Sequence, residues 1–235
     1  MTVEVRELTS PLPGRARVGL ISDTHLPESR PELWPQAYRA LEGCDAIIHA
    51  GDIHEVRFLD RLSDLAPTFA VRGNGEEGSG GRPVQPEDPR LRDAWMISIA
   101  GALIGAVHDA PVPEYPPDYL LAPELERVFG RRDLDVLVHG HTHVESVAVV
   151  ESILCVNPGS PTYPHNLTTQ LGTLGELTID DGMVQATIWQ LTDDGIHPFA
   201  WPAGRAPAEP VRALISSGPG LDRELRHVTD RDPDQ

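Results

Sequence analysis

The chain has 235 residues and a formal net charge of -17, and all 19 of its basic residues are arginine. That length suits one domain of the larger α/β kind with a full core. The acidic balance weighs against a general nucleic-acid backbone as partner, because such affinity comes largely from basic side chains neutralising phosphates; a small phosphate-bearing substrate drawn to a local positive centre stays compatible with it. Cys44 and Cys155 each lie in or beside an apolar run (CDAIIHA, SILCVN), so both read as small buried hydrophobes and no disulfide framework is expected. The N-terminal MTVEVRELTSPLPGR has no apolar leader-like stretch, and no window approaches the roughly 18 apolar residues of a membrane span. A cytoplasmic protein without membrane contact is expected.

After a polar, proline-containing start, ARVGLIS is a short apolar run that ends in Asp23, Thr24 and His25, which reads as a buried strand feeding a ligand-rich loop. PELWPQAYRALEG suits a helix, with Pro31 near its start, Gly43 at its end and Pro35 shifting the first regular turn. CDAIIHAGD repeats the strand-then-aspartate arrangement. HEVRFLDRLSDL sets Val56, Leu59, Leu62 and Leu65 at helical spacing, and PTFAVRGN is a third strand, turning at Gly73, Asn74 and Gly75. Strand alternating with helix three times predicts parallel pairing.

Residues 76–92 (EEGSGGRPVQPEDPRLR) read as a mobile surface loop, Glu76 and Glu77 being solvated within it. WMISIAGALIGAVHD predicts two strands turning near Gly101, and APELERVFGRR a helix. The strand LDVLVHG leads into His141 and His143; VESVAVVE, SILCVNPGS and TLGELTIDDGMVQATIWQL are further strands, with a hairpin at Asp181 and Gly182. An antiparallel-rich second half fits two sheets packed face to face better than one doubly wound sheet. Beyond residue 192 the chain is rich in proline, glycine and charge around one possible helix, VRALISSG.

Seven metal-competent side chains stand at the ends of these strands: Asp23 and His25 in SDTH, Asp52 in HAGD, Asn74 in RGNG, His108 in AVHD, and His141 and His143 in GHTH. Loops beyond the carboxyl ends of strands in an α/β sheet converge on one crevice, so groups distant in sequence can meet there. With a side-chain period of 2 in extended chain, Asp23 with His25, and His141 with His143, would project to one side, serving one ion or straddling two. Imidazole, carboxylate and amide oxygen together suit Mn, Fe, Zn, Co or Ni more than Mg or Ca, and seven donors exceed one tetrahedral site. Two divalent ions contribute +4, Asp23 and Asp52 subtract 2 and a bridging hydroxide 1, leaving about +1 to attract a phosphate.

The ordered set DTH, GD, GN, H and GHTH resembles the calcineurin-like metallophosphoesterases over residues 17–191, and the spacing with NPGS (Asn157 to Ser160) is similar to their small bacterial and archaeal phosphodiesterase branch, which is itself similar to the retromer subunit built on that fold. The resemblance implies a four-layer αββα sandwich of two mixed β-sheets flanked by helices, with residues 1–192 as the metallophosphoesterase domain and 193–235 as a C-terminal extension. It implies two divalent transition-metal ions, manganese favoured with Ni, Fe, Co or Zn as alternatives: Asp23, His25 and His143 on one, Asn74, His108 and His141 on the other, and Asp52 bridging. Asp52, Asn74 and His108 are expected to serve catalysis as well as ligation. The expected reaction is hydrolysis of a small phosphoester, a phosphodiester first, by a metal-bridging hydroxide attacking phosphorus in line. The alternatives are a non-catalytic scaffold on the same fold, a phosphomonoesterase or a nucleotide pyrophosphohydrolase.

Three departures from the family pattern matter. Gly75 stands where many relatives carry a histidine that can protonate the leaving group, help worth roughly 100- to 10,000-fold. Asp109 and Ala110 follow His108 where the branch often has glycine and a second histidine, and the Asp109 carboxylate could orient that imidazole or simply lower affinity for anionic substrates. Pro161 to Asn166, with His165, replace a basic residue that often follows NPGS. His54 and His165 are candidate proton donors or phosphate contacts. His49, His139, His197 and His227 read as core or surface residues, though His49 and His139 adjoin ligands and could support them from behind.

Overall fold

In the computed structural model, residues 3–113, 117–166, 170–202 and 212–214 are described. Two mixed sheets form the body. The first has the order β1 (Val5–Leu8), β6 (Trp95–Ile99), β7 (Ala102–Ala106), β8 (Val136–Val138), β10 (Ile153–Asn157) and β9 (Ser146–Val150). The second runs β13 (Gly195–Pro198), β12 (Met183–Thr192), β11 (Thr173–Asp180), β2 (Arg15–Ile21), β3 (Ala46–His49), β4 (Thr68–Val71) and β5 (Leu91–Arg92), and β14 (Arg212–Leu214) also pairs with β12.

The parallel run β2, β3, β4 is the predicted βαβαβ unit, crossed by α1 (Pro35–Leu41) and α2 (Phe58–Ser63). Helix α1 starts at Pro35 because Pro35 holds Trp34 extended (φ -61, ψ 143), as a residue before proline must be. Helix α3 (Leu121–Phe129) buries Leu121, Leu125 and Phe129, one per turn, and stops at Gly130 in the left-handed region (φ 68).

Alternation along the strands divides the core into three. Val18, Leu20, Ile48, Ile97, Val138 and Val156 point between the sheets. Ile21, Ile47 and Ala70 point the other way, onto Ala37 and Leu41 of α1 and Leu59 and Leu62 of α2. Met96, Leu137 and Cys155 pack under α3. Core between the sheets and core beneath each helical face make the four-layer αββα architecture expected from the motifs.

Three elements depart from the sequence reading. Val5–Leu8 form a strand parallel to β6 in a stretch with no strand signal. Arg212–Leu214 form a strand against Met183–Gln185 where VRALISSG suggested a helix, because an open sheet edge overrides weak helix propensity; the rest of that stretch lies outside the described residues. Residues 76–92 include the pairing strand β5, and Glu76 is fully buried instead of solvated. Among the described residues, no helix is long and apolar enough to cross a membrane.

Candidate metal centre

The carboxyl ends of β2, β3, β4, β7, β8 and β10 open onto one face, and every nominated ligand lies in a loop leaving one of the first five. The loops are not extended. Asp23, His25, Asp52, His54, His141 and His143 all adopt φ between 47 and 77, so three X-x-His segments (DTH, DIH, HTH) carry left-handed backbone at both ends. Such conformations cost roughly 1–3 kcal/mol each and persist only when their surroundings over-determine them. Here the first two loops zip together: Asp23 N–H donates to Gly51 O, His25 N–H to Asp52 O and Leu26 N–H to Ile53 O, at 2.8–2.9 Å. The curled backbone, in place of the strand alternation expected from sequence, is what brings the pairs together.

Asp23, His25, Asp52 and His143 each offer a ligand atom within 4.8 Å of the others. His25 Nε2 stands 3.4 Å from Asp52 Oδ2, and His143 Nε2 3.5 Å from Asp23 Oδ1. On the other side of Asp52, His108 Nε2 lies 3.5 Å from Asp52 Oδ1, 3.2 Å from Asn74 Oδ1 and 3.3 Å from His141 Nδ1. The two oxygens of one carboxylate thus face two separate groups of donors.

The tautomers are set from behind. His108 Nδ1–H donates to Ala50 O at 2.7 Å and His143 Nδ1–H to Tyr163 O at 2.7 Å, since a carbonyl can only accept, so each Nε2 lone pair points inward. His25 Nε2 is buried without a hydrogen-bond partner. Imidazole nitrogens and carboxylate oxygens converging in a buried space cost free energy unless a cation is shared. That donor chemistry, nitrogen and oxygen mixed, fits divalent transition metals.

Burial, reinforced by Asp52, pushes the Asp23 carboxyl well above the usual carboxylate range, against hydrogen bonds from Ser22 Oγ (2.6 Å) and His141 N–H. Burial also acts to raise Asp52, but the His25 contact, the charge of His108 and the Gly75 amide (2.7 Å to Oδ1) outweigh it and hold Asp52 below its ordinary value. Burial, with the charge of His141 adding to it, lowers His108; burial, with His25 and His165 adding to it, takes His143 down to about 4.

Behind these groups stand supporting residues, of which Glu76 is one the sequence did not flag. Glu76 accepts from the amides of Asp52 (3.1 Å), His54 (2.7 Å) and Gly73 (2.7 Å), pinning the loops after β3 and β4 to each other. Its reach back to Gly73 is a three-residue spacing like that of a capping box, a signal hidden by the neighbouring Glu77 and the glycine-rich run. The NPGS turn is a clamp: Ser160 Oγ donates to Asp23 O (2.7 Å), Thr162 Oγ1 to Thr24 O (2.6 Å), and Asn157 Nδ2 to Gly140 O (2.9 Å) and Thr142 Oγ1 (3.0 Å). Gly140 must be glycine because a Cβ there would overlap Ser22 Oγ and come within 2.7 Å of Asp23 Oδ2. His49 joins the first two loops, accepting from Gly51 N–H (3.2 Å) and donating to Thr24 Oγ1 (3.0 Å).

Asp109 does not orient His108: that place belongs to Ala50 O, and Asp109 is exposed. His54 is buried, its ring 4.2 Å from that of His25 and its Nδ1 3.5 Å from Glu28, which pairs with Arg82. A Cβ at Gly75 would come within 2.5 Å of His54 Cδ2, so the histidine ring fills the space that a side chain at 75 would need. His165 is exposed and stacks on His143 with ring centroids 4.2 Å apart at 10°. His197 is on the surface, and His227 lies outside the described residues.

A two-sheet sandwich with histidine and carboxylate loops gathered at its strand ends defines a metallohydrolase-like architecture. The family model of the calcineurin-like phosphoesterase superfamily domain matches residues 17–182, and the chain belongs to that superfamily. A probable metallophosphoesterase of Methanocaldococcus jannaschii is 34% identical over 170 residues, 72% of this chain and 79% of its own. One of Methanothermobacter thermautotrophicus is 33% identical over 147 residues, 63% of this chain and 78% of its own. Among solved structures, vacuolar protein sorting 29 of Cryptosporidium parvum superposes with a TM-score of 0.62 at 21% identity, covering 79% of this chain and 96% of that one. A zinc complex of Vps29 from Entamoeba histolytica gives 0.58 at 23%, covering 78% and 97%. These two structures speak to the fold.

Proposed function

We propose that this chain is a dimetal-dependent phosphoesterase whose preferred substrates are small phosphodiesters. Asp23, His25 and His143 would hold one divalent ion, and Asn74, His108 and His141 a second, with Asp52 serving both. Such a pair of ions supplies a nucleophile at neutral pH and neutralises charge on the phosphoryl oxygens. The observation that carries the reading is the division of donors about Asp52: His25 Nε2 faces one oxygen and His108 Nε2 the other.

The remaining work falls to the chain itself. The carbonyls of Ala50 and Tyr163 hold two imidazoles in one tautomer and orientation, so no rotation is needed when ligands bind. Gly75 N–H and the Glu76 carboxylate hold Asp52 from its side chain and its backbone. Asn74 is exposed while Asp23 and Asp52 are buried, which makes Asn74 the donor on the substrate side. Gly75 offers no proton to a leaving group, so esters with good leaving groups are favoured over alkyl esters. Manganese is the first choice of metal, with Ni, Fe, Co and Zn as alternatives.

Metal-free protein reconstituted singly with Mn, Ni, Co, Zn or Mg should hydrolyse bis-p-nitrophenyl phosphate faster than p-nitrophenyl phosphate, and Asp52→Asn and His141→Ala should each lower kcat/KM by a hundredfold or more, about 3 kcal/mol of lost transition-state stabilisation. Faster monoester hydrolysis would overturn the diester preference. No turnover with any of the metals would leave the scaffold reading in possession of the fold.

A further inference from the structure

In the segment after the NPGS turn, Pro161 to Asn166, the Thr162 hydroxyl and the Tyr163 carbonyl support the metal loops, but the rings of Tyr163 and His165 have no part in that support. The segment carries no arginine, in a chain whose only strong cations are arginines, so it has no fixed positive charge to offer a phosphate. It carries rings instead. Tyr163 is 53% exposed, yet its ring centroid lies 5.5 Å from that of His25 and 5.4 Å from that of His143. The exposed His165 ring stacks flat on His143 and meets Tyr163 edge to face at 5.7 Å. The rings are held by backbone: Tyr163 N–H donates to Ser160 Oγ (2.8 Å), and His165 N–H donates to His143 O (3.1 Å) while its Nδ1–H donates to Thr142 O (2.9 Å). This is a rigid aromatic ledge strapped to the loops that carry Asp23, His25 and His143, with solvent on its open side.

We propose that Tyr163 and His165 form a subsite for a planar aromatic substituent of the phosphoester, an aryl ring carried on an ester oxygen. A lone exposed tyrosine needs no explanation. A tyrosine fixed against two candidate ligands, beside a second exposed ring whose orientation two hydrogen bonds determine, is preorganised for a flat partner, and preorganisation removes the ordering cost of binding. Ring contacts of this kind are edge-to-face or offset-stacked and favour aromatic over alkyl groups of similar size. The segment would thereby select substrates by their substituent, where a basic residue would select by phosphate charge.

The inference rests on the phosphoesterase reading, and non-hydrolysable ligands separate the two. Titration of the full-length, manganese-loaded protein by calorimetry with phenylphosphonate and with methylphosphonate should give an affinity ratio of about threefold to tenfold in favour of phenyl. The ratio should fall to about one in Tyr163→Ala and survive in Tyr163→Phe, since the ring and not the hydroxyl makes the contact. Equal affinities in the unmodified protein, or an undiminished ratio in Tyr163→Ala, would overturn the ledge and leave the phosphoesterase reading standing. Failure of both phosphonates to bind, together with no turnover, would overturn both readings. A Tyr163→Ala variant with altered thermal unfolding is read through its Phe counterpart and through the ratio in the unmodified protein, neither of which truncates the ring.

Discussion

Glu76 shows how one side chain can set the geometry of a centre it does not enter. Its carboxylate is wholly buried and accepts three backbone amides, two from the loop that carries Asp52 and one from the loop that carries Asn74. Glutamine at this position keeps the volume but offers one acceptor oxygen, and its amide nitrogen would confront a backbone N–H. With hydrogen bonds to charged groups worth about 1.5–3 kcal/mol each, Glu76→Gln should lower the urea unfolding free energy by roughly 2–4 kcal/mol, while Glu77→Gln, on the exposed neighbour, should stay within about 0.5 kcal/mol. Equal effects from the two variants would show that the buried network contributes nothing of its own. The histidines gathered at the strand ends were legible in the sequence because turns do not ask for histidine there, so the residue type carried the information. Glu76 was not, because a glutamate among glycines, prolines and other acids has the same local pattern whether it faces water or three amides. The Asp109 reading failed for a related reason: sequence adjacency to His108 said nothing about a main-chain carbonyl at Ala50, which has no side-chain signature.

At the level of elements, the strand-helix alternation and the 3.6- and 2-residue periods gave the βαβαβ unit, the β11–β12 hairpin and the split into two sheets. The elements they did not reveal, β1 and β14, are edge strands whose stability comes from hydrogen bonds to a partner already in place and not from their own pattern. The NPGS turn was legible as a turn but not as a clamp. Ser160 connects it to the DTH loop, accepting from Tyr163 N–H and donating to Asp23 O, so removing one hydroxyl should loosen Asp23 and the carbonyl of Tyr163 that orients His143. Outer partners of metal ligands are commonly worth 10- to 100-fold in affinity, so Ser160→Ala should weaken manganese binding about tenfold or more in a calorimetric titration, with a smaller loss of about 1 kcal/mol in folding stability. The reverse ranking, a large stability loss with unchanged affinity, would make the turn a feature of the fold alone.

Across the whole molecule, an excess of acid, with a net charge of -17, surrounds a centre where histidines are buried neutral. That arrangement fixes the sign of the acid response. Burial, together with the charge of His108, lowers the pKa of His49 to about 3, and its geometry explains the cost of charging it: Nδ1 accepts from Gly51 N–H and Nε2 donates to Thr24 Oγ1, so a proton added at Nδ1 would face the Gly51 amide head-on. In the unfolded chain the same group titrates near 6.5. Between those values the unfolded state binds the extra proton, so stability rises with pH through this window; the contribution is complete above about pH 6.5 and is lost progressively as pH falls toward 3. A separation of this size corresponds to roughly 3–5 kcal/mol over the whole window. Metal-free protein should therefore lose urea stability steeply between pH 6.5 and 4, and His49→Gln, which keeps an acceptor and a donor on a non-titrating side chain, should flatten that slope even if it lowers stability at pH 7.5. A slope unchanged in His49→Gln would assign the acid response to the other buried imidazoles, among which burial takes His54 and His143 to about 4 each. In either case the loops that gather the donors would be the part of the sandwich that acid attacks first.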